Sequence, residues 1–327
     1  MEQLVLKDCA EVRVGAEAAL LDLGDGIACL QFRSRGNSIS PCVKEFILET
    51  LAGDLYGFEG LVVGSQDKNF SVGASLFVMK QNLDKRDFDA FDRNVRSMQE
   101  VTSSLKGYHK PIVAAPYRRV LGGGLEVALH CHNRVARQDC MMGLVEVGVG
   151  LVPAGGGTKE CALLVGQASE AEQQNVIKTV FEKLLLRRVS ADAADAARML
   201  YLKPEDKIAA PEEDLLAVAK AECMARVHSV SHGQKEKQVT LPGRDACRWM
   251  NDYADELLER GAVTPYDVVI GRHLARILAG SDTQGPAVYT ERQLLDMERE
   301  AFVALAQEQG TFDRITYFTE HNSLLRN

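Results

Sequence analysis

The chain has 327 residues, of which 46% are hydrophobic and 26% are charged, and its net charge is −8. This composition is typical of a globular protein, and the acidic balance argues against a general nucleic-acid surface, which needs a basic field. No apolar run approaches the about 18 residues that span a bilayer. The eight cysteines lack a CxxC pair and the N-terminal stretch does not resemble a signal peptide, so we expect reduced thiols in a cytoplasmic protein without a membrane segment.

The first part of the chain alternates strand and helix patterns. Two apolar runs around residues 24–26 predict a β-hairpin, and the run at 60–65 predicts a buried strand. Apolar residues at helical spacing over 88–105 predict an amphipathic helix, and the segment 110–120 returns to a strand pattern. Alternation of this kind indicates an α/β fold with a layered sheet.

Beyond residue 165 the pattern becomes almost entirely helical. The segments 170–186 and 212–227 are amphipathic, and a polar stretch at 231–245 predicts a mobile connection to further helices. Thr290 and Gln293 have the spacing of a capping box, which predicts that the last long helix begins there.

Three consecutive glycines, Gly122 to Gly124, stand where a strand pattern gives way to a helical one. Glycine costs a helix roughly 1 kcal/mol relative to alanine, so three together indicate a close contact with the backbone. The N–H of Gly123 would lie at the positive end of the helix dipole without an intrahelical acceptor, where it would stabilise developing negative charge. Tight packing of two elements is the alternative, and the glycines alone do not decide between the two.

Two glutamates favour a reactive site over simple packing. Glu126 follows the glycines within one helical turn, and Glu146 lies in an apolar stretch where a lone carboxylate is costly to bury. Such a pair near a helix-start donor suits general acid/base catalysis, although a glutamate at the rim of a strand end remains the simpler interpretation. The stretch 69–76 repeats the pattern of strand end, Gly73 and helix start, and it would supply a second N–H donor.

Several other chemistries lack their motifs. The sequence contains no GxSxG elbow, no P-loop lysine pattern and no GxGxxG after a strand, which leaves serine hydrolases, NTPases and nicotinamide enzymes unsupported. The HCH at residues 130–132 is a poor chelate, because residues two apart on a helix point to different sides. We therefore predict no metal site.

Residues 110–160, from KPIVAAP to GGGTKE, resemble the signature segment of the crotonase (enoyl-CoA hydratase/isomerase) superfamily, with weaker similarity over 18–227. The resemblance implies an α/β fold of the crotonase type, a ββα superhelix of layered sheets with surrounding helices, forming a catalytic core over 1–228. Residues 229–327 would form an all-helical C-terminal extension. It also implies an acyl-CoA thioester substrate, no cofactor beyond the coenzyme A of that substrate, and a homo-oligomer.

The same resemblance assigns roles to residues. Ala74 and Gly123 match the two N–H donors of the family's oxyanion hole, and Glu126 and Glu146 match the two catalytic glutamates of its hydratases. The loop FRSRGNSIS at 32–40 matches the family's CoA-contacting loop. Together these matches predict a set of substrate-binding positions: Arg35, Gly36, Gly73 and Gly122.

Family members that only isomerise commonly lack the first acid, so Glu126 favours hydration of a trans-2-enoyl-CoA. The tail at 292–327 is similar to the C-terminus of bifunctional β-oxidation proteins that fuse a 3-hydroxyacyl-CoA dehydrogenase to a hydratase. Two alternatives stay open: a Δ3,Δ2-enoyl-CoA isomerase, and a hydratase-like part that depends on a partner dehydrogenase. Three residues depart from the family pattern, where Asp, Pro and Asp are usual: Ser75, Val145 and His132.

Overall fold

The computed structural model describes residues 4–229, 236–281 and 284–327. By contact, the chain groups into two compact units. The first unit takes its residues from 1–75, 100–143 and 189–234, and the second unit takes them from 76–99, 144–188 and 235–327. The predicted division at residue 228 into a core and an extension stays a prediction.

The elements alternate in the first half and become mainly helical in the second. The strands are β1 (Ala10–Val14), β2 (Ala18–Asp22), β3 (Ile27–Phe32), β4 (Gly60–Val63), β5 (Ile112–Ala114), β6 (Arg119–Leu121), β7 (Asn133–Arg137), β8 (Met141–Gly143), β9 (Lys207–Ala209), β10 (Gln238–Leu241) and β11 (Ala287–Thr290). The helices are α1 (Pro41–Glu49), α2 (Leu76–Asp84), α3 (Phe88–Gly107), α4 (Gly123–His130), α5 (Gly157–Gln167), α6 (Glu170–Leu185), α7 (Ala193–Arg198), α8 (Leu215–Ala225), α9 (Arg244–Glu259), α10 (Pro265–Ala279), α11 (Glu291–Ala306) and α12 (Gln309–His321).

The first unit is built on a seven-stranded sheet with the order β1-β2-β3-β4-β5-β7-β9. Strands β1 to β3 pair antiparallel, and every pair from β3 onward is parallel. The predicted hairpin is confirmed as β2–β3, and the predicted buried strand is confirmed as β4, whose four residues are all buried. Buried parallel strands of this kind read as continuous apolar runs, which explains the sequence pattern GLVV.

A second, smaller sheet of the first unit pairs β6 with β8 in parallel. The chain leaves β6 directly into α4, so this small sheet fixes where α4 begins. The strand pattern predicted for 110–120 is therefore divided between β5 in the large sheet and β6 in the small one.

The second unit is mainly helical, with α9 and α10 packed against each other and α10 packed on α5 and α6. The predicted capping box is confirmed: the Gln293 N–H donates to Thr290 Oγ1 at 3.2 Å, and the Thr290 N–H donates to Gln293 Oε1 at 2.9 Å. Strands β10 and β11 form an antiparallel pair that the helical pattern did not predict. Of the predicted mobile connection, 231–235 lie outside the described residues, whereas 238–241 form β10.

Two further properties concern the whole described chain. The eight cysteines form no disulfide. Within the described ranges, no helix combines the length and the apolar character that crossing a bilayer would require.

Candidate active site

Two segments that the sequence predicts as N–H donors lie side by side in the first unit. The Ser71 N–H donates to the Arg119 carbonyl, and the Leu121 N–H donates to the Ser71 carbonyl, both at 3.1 Å. These bonds form a parallel bridge between Ser71 and Val120. As a result, the segment that follows β4 runs alongside the end of β6, and the residues after each segment are neighbours.

Gly73 is placed where a side chain does not fit. Its φ is +92°, and a Cβ there would lie 2.8 Å from the Leu121 carbonyl oxygen and 3.4 Å from the Gly123 nitrogen. A positive φ and a close backbone neighbour both favour glycine. The contact brings the peptide that leads into Ala74 against the first residue of α4.

The glycines at 122–124 have different structural roles: Gly122 has a backbone conformation that favours glycine, and Gly124 packs closely against Ser71. Gly122 is the N-cap of α4 with φ 51° and ψ −128°, and its carbonyl accepts the Glu126 N–H at 3.0 Å. A Cβ on Gly124 would overlap Cβ and Oγ of Ser71, so the packing interpretation is confirmed for this glycine. Gly123 begins the helix between them.

The N–H groups of Ala74 and Gly123 are the two predicted oxyanion donors. Across 4–229, 236–281 and 284–327, neither N–H has a hydrogen-bond acceptor. Two peptide donors on adjoining segments, one of them at a helix N-terminus, are what binding of an oxyanion requires.

The candidate CoA loop is paired with the segment that carries Ala74. The Val72 N–H donates to the Gly36 carbonyl at 3.2 Å, and the Ile39 N–H donates to the Gly73 carbonyl at 2.9 Å. Gly36 has a φ of +66°, and a Cβ there would lie 3.1 Å from Val72 Cγ2. The Arg35 side chain is exposed beside this pairing. The structure thus brings six of the predicted site residues together in the first unit: Arg35, Gly36, Gly73, Ala74, Gly122 and Gly123.

Glu126 belongs to the same unit and is 4% exposed. Its helix is held at the C-terminal end by Arg134, whose side chain is fully buried. Arg134 Nε donates to Asp206 Oδ2 at 2.6 Å, and Nη1 lies 3.3 Å from the carbonyl oxygens of Ala128 and Leu129. A cation at a helix C-terminus satisfies carbonyls that lack intrahelical partners and complements the dipole. Sequence reasoning missed Arg134, and the only local signal was its position directly before the apolar pair Val135 and Ala136.

The two histidines of the HCH stretch have separate partners. His130 Nδ1 lies 2.7 Å from the Glu126 carbonyl oxygen, and the Ile112 N–H donates to His132 Nδ1 at 2.9 Å. Burial lowers the pKa of His132, which favours the neutral ring that this acceptor role requires. In the described part of the chain, no three His, Cys, Asp or Glu side chains come together as a metal site would need.

Glu146 belongs to the second unit, where it begins a short 3-10 helix, Glu146–Val149. The residue is half-buried and its Oε2 is buried. The Leu151 N–H donates to the Glu146 carbonyl at 3.1 Å, and the turn ends at Gly150 with φ +90°. The carboxylate therefore stands on a single turn of helix whose ends are closed by backbone hydrogen bonds.

Comparison with known proteins identifies the family. The profile of the enoyl-CoA hydratase/isomerase family matches residues 23–182. A crotonyl-CoA hydratase of Syntrophomonas wolfei is 31% identical over 213 residues, which cover 62% of this chain and 74% of that protein. The chain therefore belongs to the enoyl-CoA hydratase/isomerase (crotonase) superfamily, and the predicted resemblance is confirmed.

Two further relatives extend the comparison. A probable 3-hydroxyacyl-CoA dehydrogenase of Bacillus subtilis is 33% identical over 310 residues, which cover 95% of this chain but 39% of that protein. The crystal structure of a carnitinyl-CoA dehydratase from Mycobacterium thermoresistibile superposes with a TM-score of 0.65 at 17% identity, covering 94% of this chain and 91% of that one. The second likeness confirms the predicted crotonase-type fold.

Proposed function

We propose that this protein is an enoyl-CoA hydratase, which adds water reversibly to a trans-2-enoyl-CoA and forms a 3-hydroxyacyl-CoA in fatty-acid β-oxidation or related acyl-CoA catabolism. One observation carries the proposal: the N–H groups of Ala74 and Gly123 lie on adjoining segments without acceptors among the described residues, and the buried Glu126 follows within the same helix. Family membership supports the proposed substrate class, an acyl-CoA thioester.

In this mechanism the thioester oxygen accepts hydrogen bonds from the Ala74 and Gly123 N–H groups. These bonds withdraw electron density from the conjugated double bond, so C3 becomes electrophilic, and they stabilise the charge that develops on the oxygen. The positive end of the α4 dipole acts in the same direction. Gly73 and Gly122 contribute by leaving room for the backbone to approach the substrate.

The two glutamates move the protons. By the family resemblance, Glu126 and Glu146 hold one water molecule, whose oxygen forms a bond to C3. One O–H bond of the water breaks as its proton passes to a glutamate, and Glu146 delivers a proton to C2. The sum is one water added across the double bond, so the step consumes no oxidant or reductant, and by the family resemblance we propose no cofactor besides the coenzyme A of the substrate.

The loop at 35–36 would bind the nucleotide end of coenzyme A. The exposed guanidinium of Arg35 suits a phosphate group, and the Gly36 backbone lies against Val72 in the segment that leads to Ala74. We also propose a homo-oligomer, which light scattering on the purified chain would test.

The decisive experiment uses crotonyl-CoA with Glu126→Gln and Glu146→Gln. Each substitution keeps the size of the side chain and removes its capacity to exchange a proton, so kcat should fall by about 10²-fold or more. The dissociation constant for butyryl-CoA, which has no double bond to hydrate, should stay within about twofold of wild type, a change below 0.5 kcal/mol. Near-normal turnover by both variants would contradict the proposed roles.

Assays of the purified wild-type chain distinguish two alternatives from the proposed hydratase. A Δ3,Δ2-enoyl-CoA isomerase would convert a 3-enoyl-CoA to its conjugated isomer and would need one proton-shuttling acid, Glu146. The length of the Bacillus subtilis relative favours a second possibility, in which a 3-hydroxyacyl-CoA dehydrogenase is fused to or partnered with this chain. Hydration by the isolated chain would exclude dependence on such a partner.

A further inference from the structure

The turn that bears Glu146 has few hydrogen bonds of its own. It is a four-residue 3-10 helix in which the Gly148 N–H donates to the Val145 carbonyl and the Gly150 N–H donates to the Val147 carbonyl. A single turn of this kind is marginal in isolation, because its entropic cost is set against very few bonds. Its geometry therefore depends on what packs against it.

Helix α12, from the C-terminal end of the same unit, supplies that packing. Arg314 Nη1 donates to the Val147 carbonyl oxygen at 2.7 Å, and Thr311 Oγ1 donates to the Gly150 carbonyl oxygen at 2.7 Å. A Cβ on Gly150 would lie 2.7 Å from Thr311 Cα, so the backbones themselves are in contact. Arg314 and Thr311 lie one helical turn apart on α12. Their side chains thus bind one carbonyl within the Glu146 turn, that of Val147, and one directly after it, that of Gly150.

Arg314 is itself held rigidly. Its side chain is 1% exposed, and Nη1 donates to Asp267 Oδ1 at 2.7 Å. Nη2 donates to Thr264 Oγ1 at 2.9 Å, and Nε donates to Asn327 Oδ1 at 2.7 Å. The N–H groups of the planar guanidinium point in fixed directions. The bonds to Asp267, Thr264 and Asn327 therefore also fix the direction of the N–H that donates to the Val147 carbonyl.

The anchor of Arg314 is the N-terminal cap of α10. Thr264 and Asp267 form a capping box there, and Asp267 is fully buried. Burial alone would raise the pKa of Asp267, but Arg314, the Thr264 N–H and Arg187 lower it, so the side chain is a carboxylate. The carbonyl of Val147 is thereby tied through Arg314 to a charged, hydrogen-bonded helix end.

We propose that Arg314 and Thr311 are positioning residues for Glu146, and that the C-terminal helices act in catalysis through them. The inference rests on the proposed function, in which Glu146 transfers the proton to C2. Neither residue touches the reacting atoms in this account. They hold the turn so that the carboxylate keeps one orientation through the reaction, since a small misplacement of a catalytic group is costly in rate.

The test compares Arg314→Met and Thr311→Val with wild type on crotonyl-CoA. We expect kcat to fall about tenfold or more in each variant, while KM and the dissociation constant for butyryl-CoA change by less than about twofold. Thr311→Ser keeps the donor hydroxyl and should recover most of the loss. Arg299→Met is the matched control, because Arg299 pairs with Asp92 and Asp296 in the same unit, and its kcat should equal that of wild type.

Combining each variant with Glu146→Gln separates positioning from general damage. If Arg314 and Thr311 act through Glu146, the double variants should be within about twofold of Glu146→Gln alone, whereas independent effects would multiply. Should Arg314→Met fail to fold, Thr311→Val together with Thr311→Ser carries the same test. Urea unfolding of every variant identifies which ones are folded at the assay temperature.

The outcomes distinguish the inference from the proposed function. A folded Thr311→Val with wild-type kcat, or losses that multiply in the Glu146→Gln background, would overturn the positioning role while hydratase activity stands. A wild-type protein inactive on crotonyl-CoA, or a Glu146→Gln variant with normal turnover, would overturn the proposed function, and the inference would fall with it.

Discussion

The two short helices that carry the candidate acids are held in place by different means. Helix α4, with Glu126, begins where glycines permit close packing: Gly73 lies against the Gly123 backbone, and Gly124 lies against the Ser71 side chain. The turn with Glu146 is held mainly by polar side chains of α12, which donate to its carbonyls, and its last residue, Gly150, also lies against the Thr311 backbone. Adding a Cβ to a glycine disturbs a contact of the first kind. Removing the donor group of a side chain disturbs a contact of the second kind.

This difference determines which kind of mutation would displace each glutamate and so test its role. At the start of α4 the informative substitution is glycine to alanine, whereas at the Glu146 turn it is the loss of a donor. The far end of α4 is instead held as the Glu146 turn is, because the Arg134 side chain donates to the carbonyls of Ala128 and Leu129.

The largest effect on stability is expected from Arg134→Met. The substitution leaves Asp206 buried without its partner, and breaking such a pair costs about 3–5 kcal/mol of unfolding free energy. The measurement is urea unfolding. Arg137→Met, in the same strand, is the control: it breaks an ion pair with the half-exposed Asp139 and should cost about 1 kcal/mol or less. Equal losses in the two variants would show that Arg134 is not the anchor of α4.

An intermediate effect is expected from Gly124→Ala. The new Cβ overlaps Ser71, so α4 must shift, at a cost of about 1–3 kcal/mol. The shift moves the Gly123 N–H, and kcat on crotonyl-CoA should fall about tenfold or more. Gly107→Ala, at the end of α3, is the control because its Cβ meets nothing within 4 Å. A Gly124→Ala variant with unchanged kcat would contradict the role of the α4 N-terminus.

The smallest effect is the pH dependence contributed by His132. Burial lowers its pKa in the folded protein below the ordinary 6.5. Between the lowered pKa and 6.5 the unfolded chain binds the proton and the folded one does not, so this contribution to stability is present above 6.5 and is lost as the pH falls.

His132→Asn tests that contribution, since the asparagine oxygen can accept the Ile112 N–H and does not titrate. On acidification through this range, wild type should lose more unfolding free energy than the variant. Stability curves that run parallel for the two proteins would show that His132 does not contribute.

Strong local patterns predicted much of the fold. The apolar period of α3, the turn of the β2–β3 hairpin and the cap of α11 are each decided by residues near one another in sequence. Strands β9 (KIA) and β10 (QVTL) lack the continuous apolar run that made β4 (GLVV) visible in the sequence. Their existence depends on pairing with β7 and β11, which are distant in sequence.

The site follows the same rule. Glycines at strand ends and acids in apolar stretches are visible in the sequence, and they led to the two candidate acids and the two candidate donors, whose catalytic roles stay predictions. Arg134 and Arg314 were not, because a charged residue in a regular pattern is usually solvent-exposed. For Arg314 the available signal was its position beside Thr311 and Ile315 on one helix face, both of which are buried.

The pairing of residues 36–39 with 72–74 has a consequence for how substrate preference can change. Because Gly36 and Ile39 are hydrogen-bonded to the segment that carries Ala74, an insertion or deletion in this loop would change the pairing with that segment. On the proposal that this loop binds the nucleotide end of coenzyme A, divergence in that recognition should proceed through exchange of exposed side chains such as Arg35 at constant loop length. Directed evolution of this protein towards other thioester carriers would do best to keep the loop backbone and randomise its surface positions.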